Sequence, residues 1–303
     1  MKKVLVLYYS QSGQLEEVVK HFISKLPDVD IKVDLKKIEP KNKFAYPWAF
    51  YDFFDEFPES VYLDGCEVYP IKDIEDDYDL IILGYTVWFL SPSLPVTGFL
   101  KSEQAREIFK NKPVITLIAC RDMWVMAQEK MKMLLRDLDA KLVDNVVLTD
   151  QGKSIYTFFT TPRWLLTGKK DKFLFFPPAG IAQEEIIAAE RFGERLNQAL
   201  KADAEKSKLP MLKGLNAVNV NGKLIATEKI ATRSFMVWGK LIKFSGPKYS
   251  FGRKITITVY SIFLLMLVLT IVPLNILIRK VLYPFQKDKI RSLEQYFEQP
   301  SGK

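Results

Sequence analysis

The chain has 303 residues, of which 48% are apolar, and a formal net charge of +8 at pH 7. This length accommodates one α/β domain of about 150–200 residues together with a further segment. Two cysteines, Cys66 and Cys120, exclude a disulfide framework and a cysteine-rich metal cluster. The N-terminal apolar run is too short for a secretory signal, so we expect the first domain to lie in the cytoplasm and to hold no metal.

The first element is an apolar strand at residues 4–8, followed by a hydroxyl-rich turn at residues 10–13 and a helix at 15–26. Such a turn lies at a helix N-terminus, where backbone N–H groups and the helix dipole favour an anion. The turn is therefore a candidate phosphate site, and an ordinary strand-to-helix turn with a serine cap is the alternative. The patterns typical of P-loop and dinucleotide-binding proteins are both absent.

Strands and helices then alternate up to about residue 203. The remaining strands are predicted at 30–35, 78–84, 113–119 and 141–148, and the remaining helices at 96–109, 124–138 and 181–200. Continuous apolar runs in two of these strands are typical of strands buried on both faces. The alternation predicts an α/β domain at 1–203 built on a doubly wound, five-stranded parallel sheet.

Two aromatic-rich insertions interrupt this pattern, at about residues 40–70 and 151–180. Loops of this length are usually functional or disordered, and so many aromatic residues argue against disorder. Three interpretations remain open: additional core, a pocket or lid for a lipophilic substrate, and contact with a bilayer.

The C-terminal third is basic and contains a long apolar run. No acidic residue lies between Glu228 and Asp288, and residues 255–278 carry no charged side chain. About 20 apolar residues suffice to cross the hydrocarbon core, so we expect a transmembrane or membrane-embedded helix at 255–278 and a membrane partner instead of nucleic acid.

The surroundings of this helix are predicted in less detail. Residues 204–254 are expected to form a basic linker with a hairpin around Asn221-Gly222 and a membrane-interface segment at 238–244. Residues 279–303 are expected to form a basic tail. Five basic residues lie close to the apolar run on each side, so the positive-inside rule assigns no orientation. Pro273 leaves a re-entrant segment as an alternative to a crossing.

Ligands of open parallel sheets bind beyond the carboxyl ends of the strands. Three predicted loops end there, at residues 10–15, 84–95 and 119–124, and the last two combine aromatic and polar groups. A flat heteroaromatic cofactor requires such groups for its face and its polar edge.

These three loops, in this order, resemble the FMN-binding loops of the flavodoxin-like fold over about residues 1–200. The resemblance implies FMN as the cofactor and two sets of contacts. The phosphate would be held by Ser10, Gln11, Ser12, Gly13, Gln14 and Leu15, and the ring would be flanked by Tyr85, Thr86, Val87, Trp88, Phe89, Cys120, Arg121, Asp122 and Trp124. Leu15 departs from the pattern, because many flavodoxins have a hydroxyl there.

The opening sequence, the insertions, the apolar C-terminal segment and the length also resemble bacterial dialkylresorcinol condensing enzymes of aryl-polyene and flexirubin-type pigment pathways. This implies an FMN-dependent oxidoreductase at the inner membrane that aromatises a dialkylcyclohexanedione to a dialkylresorcinol, with a ketosynthase-like partner. A membrane-attached NAD(P)H-quinone or flavin reductase is one alternative, and a non-catalytic scaffold of a biosynthetic complex is another.

Acid–base residues are expected on the loops beside the ring, with Tyr85, Arg121 and Asp122 as the candidates. Asp122 has a structural alternative as the N-cap of the next helix. A triad hydrolase is disfavoured, because the single histidine, His21, lies on the first helix away from the strand ends.

Overall fold

The structure is a computed structural model that describes residues 1–303 except Asp76, Lys208 and Lys303, and describes no side chains at 271–273 and 275–285. Five parallel strands form its sheet in the order β2-β1-β3-β5-β6, and a two-residue strand, β4, pairs antiparallel with β3. The strands are β1 Lys2–Tyr8, β2 Ile31–Lys37, β3 Leu80–Trp88, β4 Ser91–Pro92, β5 Pro113–Cys120 and β6 Lys141–Thr149. The predicted five-stranded parallel sheet is confirmed, and without β4 its order is that of the flavodoxin-like fold.

Helices cover both faces of the sheet. They are α1 Gln14–Ile23, α2 Phe50–Asp55, α3 Phe57–Val61, α4 Leu94–Leu100, α5 Glu103–Phe109, α6 Val125–Asp137, α7 Ser154–Thr167, α8 Gln183–Ala188, α9 Glu190–Lys201, α10 Gly222–Phe244 and α11 Phe251–Phe297. The single helix predicted at 96–109 is two helices, because the Ser102 hydroxyl accepts the Ala105 N–H and begins a new one.

The two insertions contact each other and are largely helical. The first contains α2 and α3, and the second contains α7. The Trp48 N–H donates to the Leu165 carbonyl at 2.8 Å, which joins them. Trp48 and Phe57 are buried, whereas Phe173 and Phe175 of the second insertion are exposed. The first insertion thus supplies additional core, and the second presents an aromatic surface to its surroundings.

The hairpin expected around Asn221-Gly222 is wrong. Gly222 begins helix α10, and its N–H donates to Glu294 Oε1 at 3.0 Å. A Cβ at position 222 would lie 2.6 Å from Ile290, so glycine here permits close contact with α11. The local pattern that favours a turn is overridden by a contact with a residue 72 positions away.

Helix α11 packs on the first insertion and on α10 at its N-terminal end. The buried Arg253 guanidinium forms ion pairs with Asp55 at 2.6 Å and with Glu59 at 2.7 Å. Further along, the ring of Tyr260 stacks on Phe57 with centroids 4.7 Å apart. Within the described residues, one helical segment, Phe251–Thr270, is long and apolar enough to cross a membrane. The end of the predicted span, at 271–278, has side chains outside the described residues except at Leu274.

Candidate functional site

The hydroxyls of Ser10 and Thr86 lie at the carboxyl ends of β1 and β3, the two strands that flank the switch point of the sheet. Tyr8, the last residue of β1, pairs with Gly84 on β3, and Ser10 and Thr86 each follow two positions later along their own chain segments. Ser10 Oγ and Thr86 Oγ1 are buried and have no hydrogen-bond partner within the described part of the chain. A buried hydroxyl without a partner costs about 1–3 kcal/mol. Both atoms lie at the β1/β3 switch point of this fold, so they are available to a ligand that binds there.

The turn at Gly13, before α1, leaves the first backbone N–H groups of the helix without a side-chain cap. Gly13 has φ +86° and ψ −22°, a left-handed conformation that favours glycine. A Cβ at position 13 would meet no atom within 4 Å, so the space above the turn is free. The backbone N–H groups of the first turn and the nearby Ser12 hydroxyl therefore have room for an anion.

Three residues of this loop have side chains that are engaged elsewhere. Leu15 is packed in the core, so only its backbone can reach a ligand. The Gln11 amide donates to the Ala45 carbonyl at 2.6 Å and its Oε1 accepts the Trp48 indole N–H at 3.0 Å. Gln14 lies against Gly180, where an added Cβ would meet its amide nitrogen at 2.5 Å. The side chains of Gln11 and Gln14 thus hold the two insertions against the loop, and contact of these residues with a phosphate stays a prediction that their backbone would have to meet.

The loop after β3 builds an aromatic wall. The half-buried Trp88 ring makes edge contacts with Tyr9, Phe44 and Trp48 at centroid distances of 6.0, 5.1 and 5.4 Å. Val87 is half-buried beside it, and both remain candidates for contact with a flat ring.

Phe89 belongs to a different cluster. With Leu90 it forms the two-residue turn between β3 and β4, and both residues have positive φ, at 49° and 57°. The Phe89 ring packs on Phe53 and Phe57 at 4.8 and 5.0 Å. The turn thus directs this side chain into the first insertion, and its contact with a cofactor ring stays a prediction.

Tyr85 is also placed in the core. Its side chain is fully buried, and its hydroxyl donates to Gln128 Oε1 at 2.7 Å. Gln128 in turn donates to Thr116 Oγ1 at 2.9 Å, so the hydroxyl begins a polar chain that runs between α6 and the sheet. Burial raises the pKa of Tyr85 well above its ordinary value. The catalytic role of Tyr85 stays a prediction, and in this structure its hydroxyl is held by Gln128 inside the core.

The loop after β5 is polar but shielded from water. The Asp122 carboxylate accepts the Ser154 hydroxyl, and burial raises the pKa of Asp122. The Arg121 guanidinium lies 4.3 Å from the Phe158 ring centroid, and burial lowers its pKa despite the neighbouring carboxylates. Asp122 does not cap α6, because the residue before that helix is the buried Trp124. Burial raises the pKa of the Cys120 thiol above its ordinary value.

Two carboxylates near Arg121 were not predicted. Asp150 follows β6 and accepts the N–H groups of Gly152 at 2.7 Å and Gly180 at 2.5 Å. Glu228 reaches the same region from α10 and accepts the Met126 N–H at 2.9 Å. The strand-end rule applied to β6 would have found Asp150. No local pattern distinguishes Glu228, because its place depends on how the C-terminal region packs.

No family model matches the chain, and no curated protein resembles it at a significant level. Among solved structures, a flavoprotein in complex with FMN from Lactobacillus acidophilus is similar over 48% of this chain and 93% of its own, at 20% identity and a TM-score of 0.41. A flavodoxin from the domain Archaea matches over 66% and 99%, at 10% identity and a TM-score of 0.37. Flavodoxin 1 from Bacillus cereus matches over 63% and 95%, at 15% identity and 0.34. The sheet topology itself assigns the flavodoxin-like fold.

Proposed function

We propose that the chain binds FMN at the carboxyl ends of β1, β3 and β5 and acts as an oxidoreductase. The observation that carries this proposal is the pair of buried, unpartnered hydroxyls of Ser10 and Thr86 at the switch point of the sheet. The open, uncapped turn at Gly13 supports it, because a phosphate needs free N–H groups and space. A bound ligand would satisfy groups that the protein alone leaves unpaired.

Each loop would have one task. Ser10, Ser12 and the backbone of 13–15 would hold the phosphate, Thr86 would bind a polar edge, and Trp88 would provide an apolar face. Arg121 brings a positive charge to the third loop, and Asp122 accepts a proton more readily than an exposed carboxylate because burial raises its pKa. When bound, oxidised FMN supplies a two-electron acceptor for hydride.

The proposed substrate is a lipophilic ring that loses two hydrogens, as in the aromatisation of a dialkylcyclohexanedione to a dialkylresorcinol. Exposed aromatic side chains of the second insertion support this, since Phe159 on α7 and Phe173 and Phe175 after it present apolar surface. The apolar segment Phe251–Thr270 supports attachment to a membrane, where such a substrate and a ketosynthase-like partner would be found.

The test of cofactor binding is the absorbance spectrum of the detergent-purified protein with and without added FMN. We expect the protein to show a flavin spectrum. Ser10→Ala and Thr86→Val should each raise the dissociation constant for FMN at least tenfold. Tyr260→Phe is the matched control, because its hydroxyl is also buried and unpartnered but lies in a separate apolar cluster. Absence of FMN binding to the unsubstituted protein would reject the proposal and leave the scaffold alternative.

The test of the substrate class follows the colour of the bound flavin anaerobically in a stopped-flow instrument. Rapid bleaching by a dialkylcyclohexanedione, and none by NADPH, is the expected result. Rapid bleaching by NADPH alone would instead identify a reductase of quinones or flavins.

A further inference from the structure

Helix α7 of the second insertion is fixed at its N-terminal end to the loop after β5. The Ser154 hydroxyl donates to the Asp122 carboxylate. One turn further along, the Phe158 ring centroid lies 4.3 Å from the Arg121 guanidinium. Asp122 and Arg121 belong to the loop proposed to lie beside the ring of FMN, so this end of α7 lies next to the ring side of the candidate site.

The C-terminal end of α7 is fixed beside the turn at residues 10–13. The Leu165 carbonyl accepts the Trp48 N–H at 2.8 Å, and the Trp48 indole N–H donates to Gln11 of the turn at 3.0 Å. A Cβ at Gly168, which follows the helix, would lie 3.0 Å from Pro47, so the two segments are in close contact. Helix α7 therefore passes from the ring side of the candidate site to its phosphate side.

Thr161 lies in the middle of the helix face that makes these contacts. Ser154, Phe158, Thr161 and Leu165 follow one another at spacings of four, three and four residues, which places them on one face of an α-helix. Phe158 and Leu165 are seven residues apart, which corresponds to about 10 Å along the axis. Thr161 thus lies between the ring side and the phosphate side.

The Thr161 hydroxyl does not form the bond that is usual for a threonine in a helix, to a carbonyl three or four residues earlier. On the same helix, Thr157 donates to the Ser154 carbonyl at 2.8 Å and Thr167 to the Arg163 carbonyl at 2.6 Å. Thr161 Oγ1 is buried and has no hydrogen-bond partner within the part of the chain that the structure describes. A buried hydroxyl without a partner is unfavourable, so Thr161 is available to a ligand.

We propose that Thr161 binds a hydroxyl group of the ribityl chain of FMN, the polyol that joins the phosphate to the ring. A threonine hydroxyl both donates and accepts, and so does each hydroxyl of such a chain, whereas a phosphate dianion or a ring carbonyl only accepts. The proposal rests on the FMN binding proposed above and adds a residue from outside the three strand-end loops. The second insertion then forms a fourth side of the cofactor site.

The test compares the dissociation constants of three flavins, measured by titration of the detergent-purified, flavin-free protein. FMN carries phosphate, chain and ring, riboflavin lacks the phosphate, and lumiflavin lacks the chain as well. Thr161→Val replaces the hydroxyl by a methyl group of similar size, and Thr161→Ser keeps the hydroxyl.

Thr160→Val is the matched control. The Thr160 hydroxyl is also buried on α7 and without a partner among the described residues. It lies on a different face of the helix, which it shares with Tyr156 and Trp164, four residues before and after it.

We expect Thr161→Val to raise the dissociation constants for FMN and riboflavin by the same factor, about fivefold, and to leave that for lumiflavin unchanged. Thr161→Ser and Thr160→Val should stay within about twofold of the unsubstituted protein. A loss for FMN alone would place the hydroxyl at the phosphate, and an equal loss for lumiflavin would place it at the ring. Either result would overturn the proposal, as would unchanged FMN binding by Thr161→Val or an equal loss in Thr160→Val.

Thermal unfolding without flavin gives a readout that does not depend on binding. Thr161→Val should melt at or above the temperature of the unsubstituted protein, because it removes a buried hydroxyl that has no partner within the described chain. A marked drop would show that the hydroxyl serves the fold and would also overturn the proposal. Failure of the unsubstituted protein to bind FMN would instead reject the proposed cofactor, so the two failures are separate observations.

Discussion

The Glu228 carboxylate accepts the backbone N–H of Met126 at 2.9 Å, which joins helix α10 to the first turn of α6. A negative charge is favourable at a helix N-terminus, but burial opposes it and raises the pKa of Glu228 to about 8. The folded chain then binds a proton that the unfolded chain has lost between pH 4.5 and 8. The free energy of unfolding contributed by this group therefore falls as the pH rises through that interval.

Glu228→Gln should flatten this dependence, because glutamine keeps an acceptor for the Met126 N–H and does not titrate. Relative to the unsubstituted protein, we expect the variant to gain roughly 4 kcal/mol in unfolding free energy between pH 5 and pH 9, because about three of the 3.5 pH units between the two pKa values fall in this interval. Urea unfolding in detergent at pH 5, 7 and 9 measures the effect, and the exposed Glu184→Gln is the control. Parallel curves for Glu228→Gln and the unsubstituted protein would contradict the assigned role of burial.

Arg253→Met should destabilise the start of α11. The substitution removes the guanidinium and leaves the buried Asp55 carboxylate and the partly buried Glu59 carboxylate without their partner. Breaking a buried ion pair from one side costs about 3–5 kcal/mol. Denaturant midpoints in detergent measure the loss. Lys254→Met, next in sequence and exposed, should change stability by less than about 0.5 kcal/mol, and equal losses in both variants would rule out the ion pairs as the cause.

Ser10→Ala should have opposite effects without and with FMN. Without FMN the variant should be as stable as the unsubstituted protein or more stable, because it removes a buried hydroxyl that has no partner. With saturating FMN its gain in melting temperature should be smaller, because stabilisation by a ligand follows its affinity. Thermal unfolding at matched FMN concentrations tests both parts. A marked loss of stability without FMN would show that Ser10 serves the fold and not a ligand.

Ser301→Ala should weaken the attachment of the chain end to β6. The hydroxyl bonds both the N–H and the carbonyl of Asn145, and both backbone groups are left without this partner in the variant. We expect a loss of about 2–3 kcal/mol. Limited proteolysis should also cleave the C-terminal end of α11 faster. Ser292→Ala, whose hydroxyl is exposed, is the matched control and should leave the cleavage rate unchanged.

The sheet was predictable because its signals are local. Apolar runs ending at Tyr8, Gly84 and Ala119 mark buried parallel strands, and the strand-end rule directed attention to the loops that carry Ser10, Trp88 and Arg121. The burial of Tyr85 was not predictable, because β3 is apolar on both faces and its sequence does not show which side chains reach the end of the sheet.

The errors elsewhere arise from contacts between distant residues. Asn221-Gly222 has the composition of a turn, yet Gly222 begins a helix and its N–H donates to Glu294. A distant contact also decides the Gln11 side chain, which accepts the Trp48 indole N–H, so the predicted phosphate contact of Gln11 stays a prediction for its backbone. The domain boundary expected at 203 and the membrane role of 255–278 stay predictions.

Strand β6 lies last in the sheet, and its outer side is covered by residues that follow the flavodoxin-like part of the chain. The Val147 N–H donates to the Ala217 carbonyl at 2.8 Å, and Ser301 bonds Asn145 on the same strand. A protein shortened to residues 1–203 would bare this row of backbone groups and offer it to a second copy. Such a fragment should aggregate through edge-to-edge strand pairing even though its own sheet is complete.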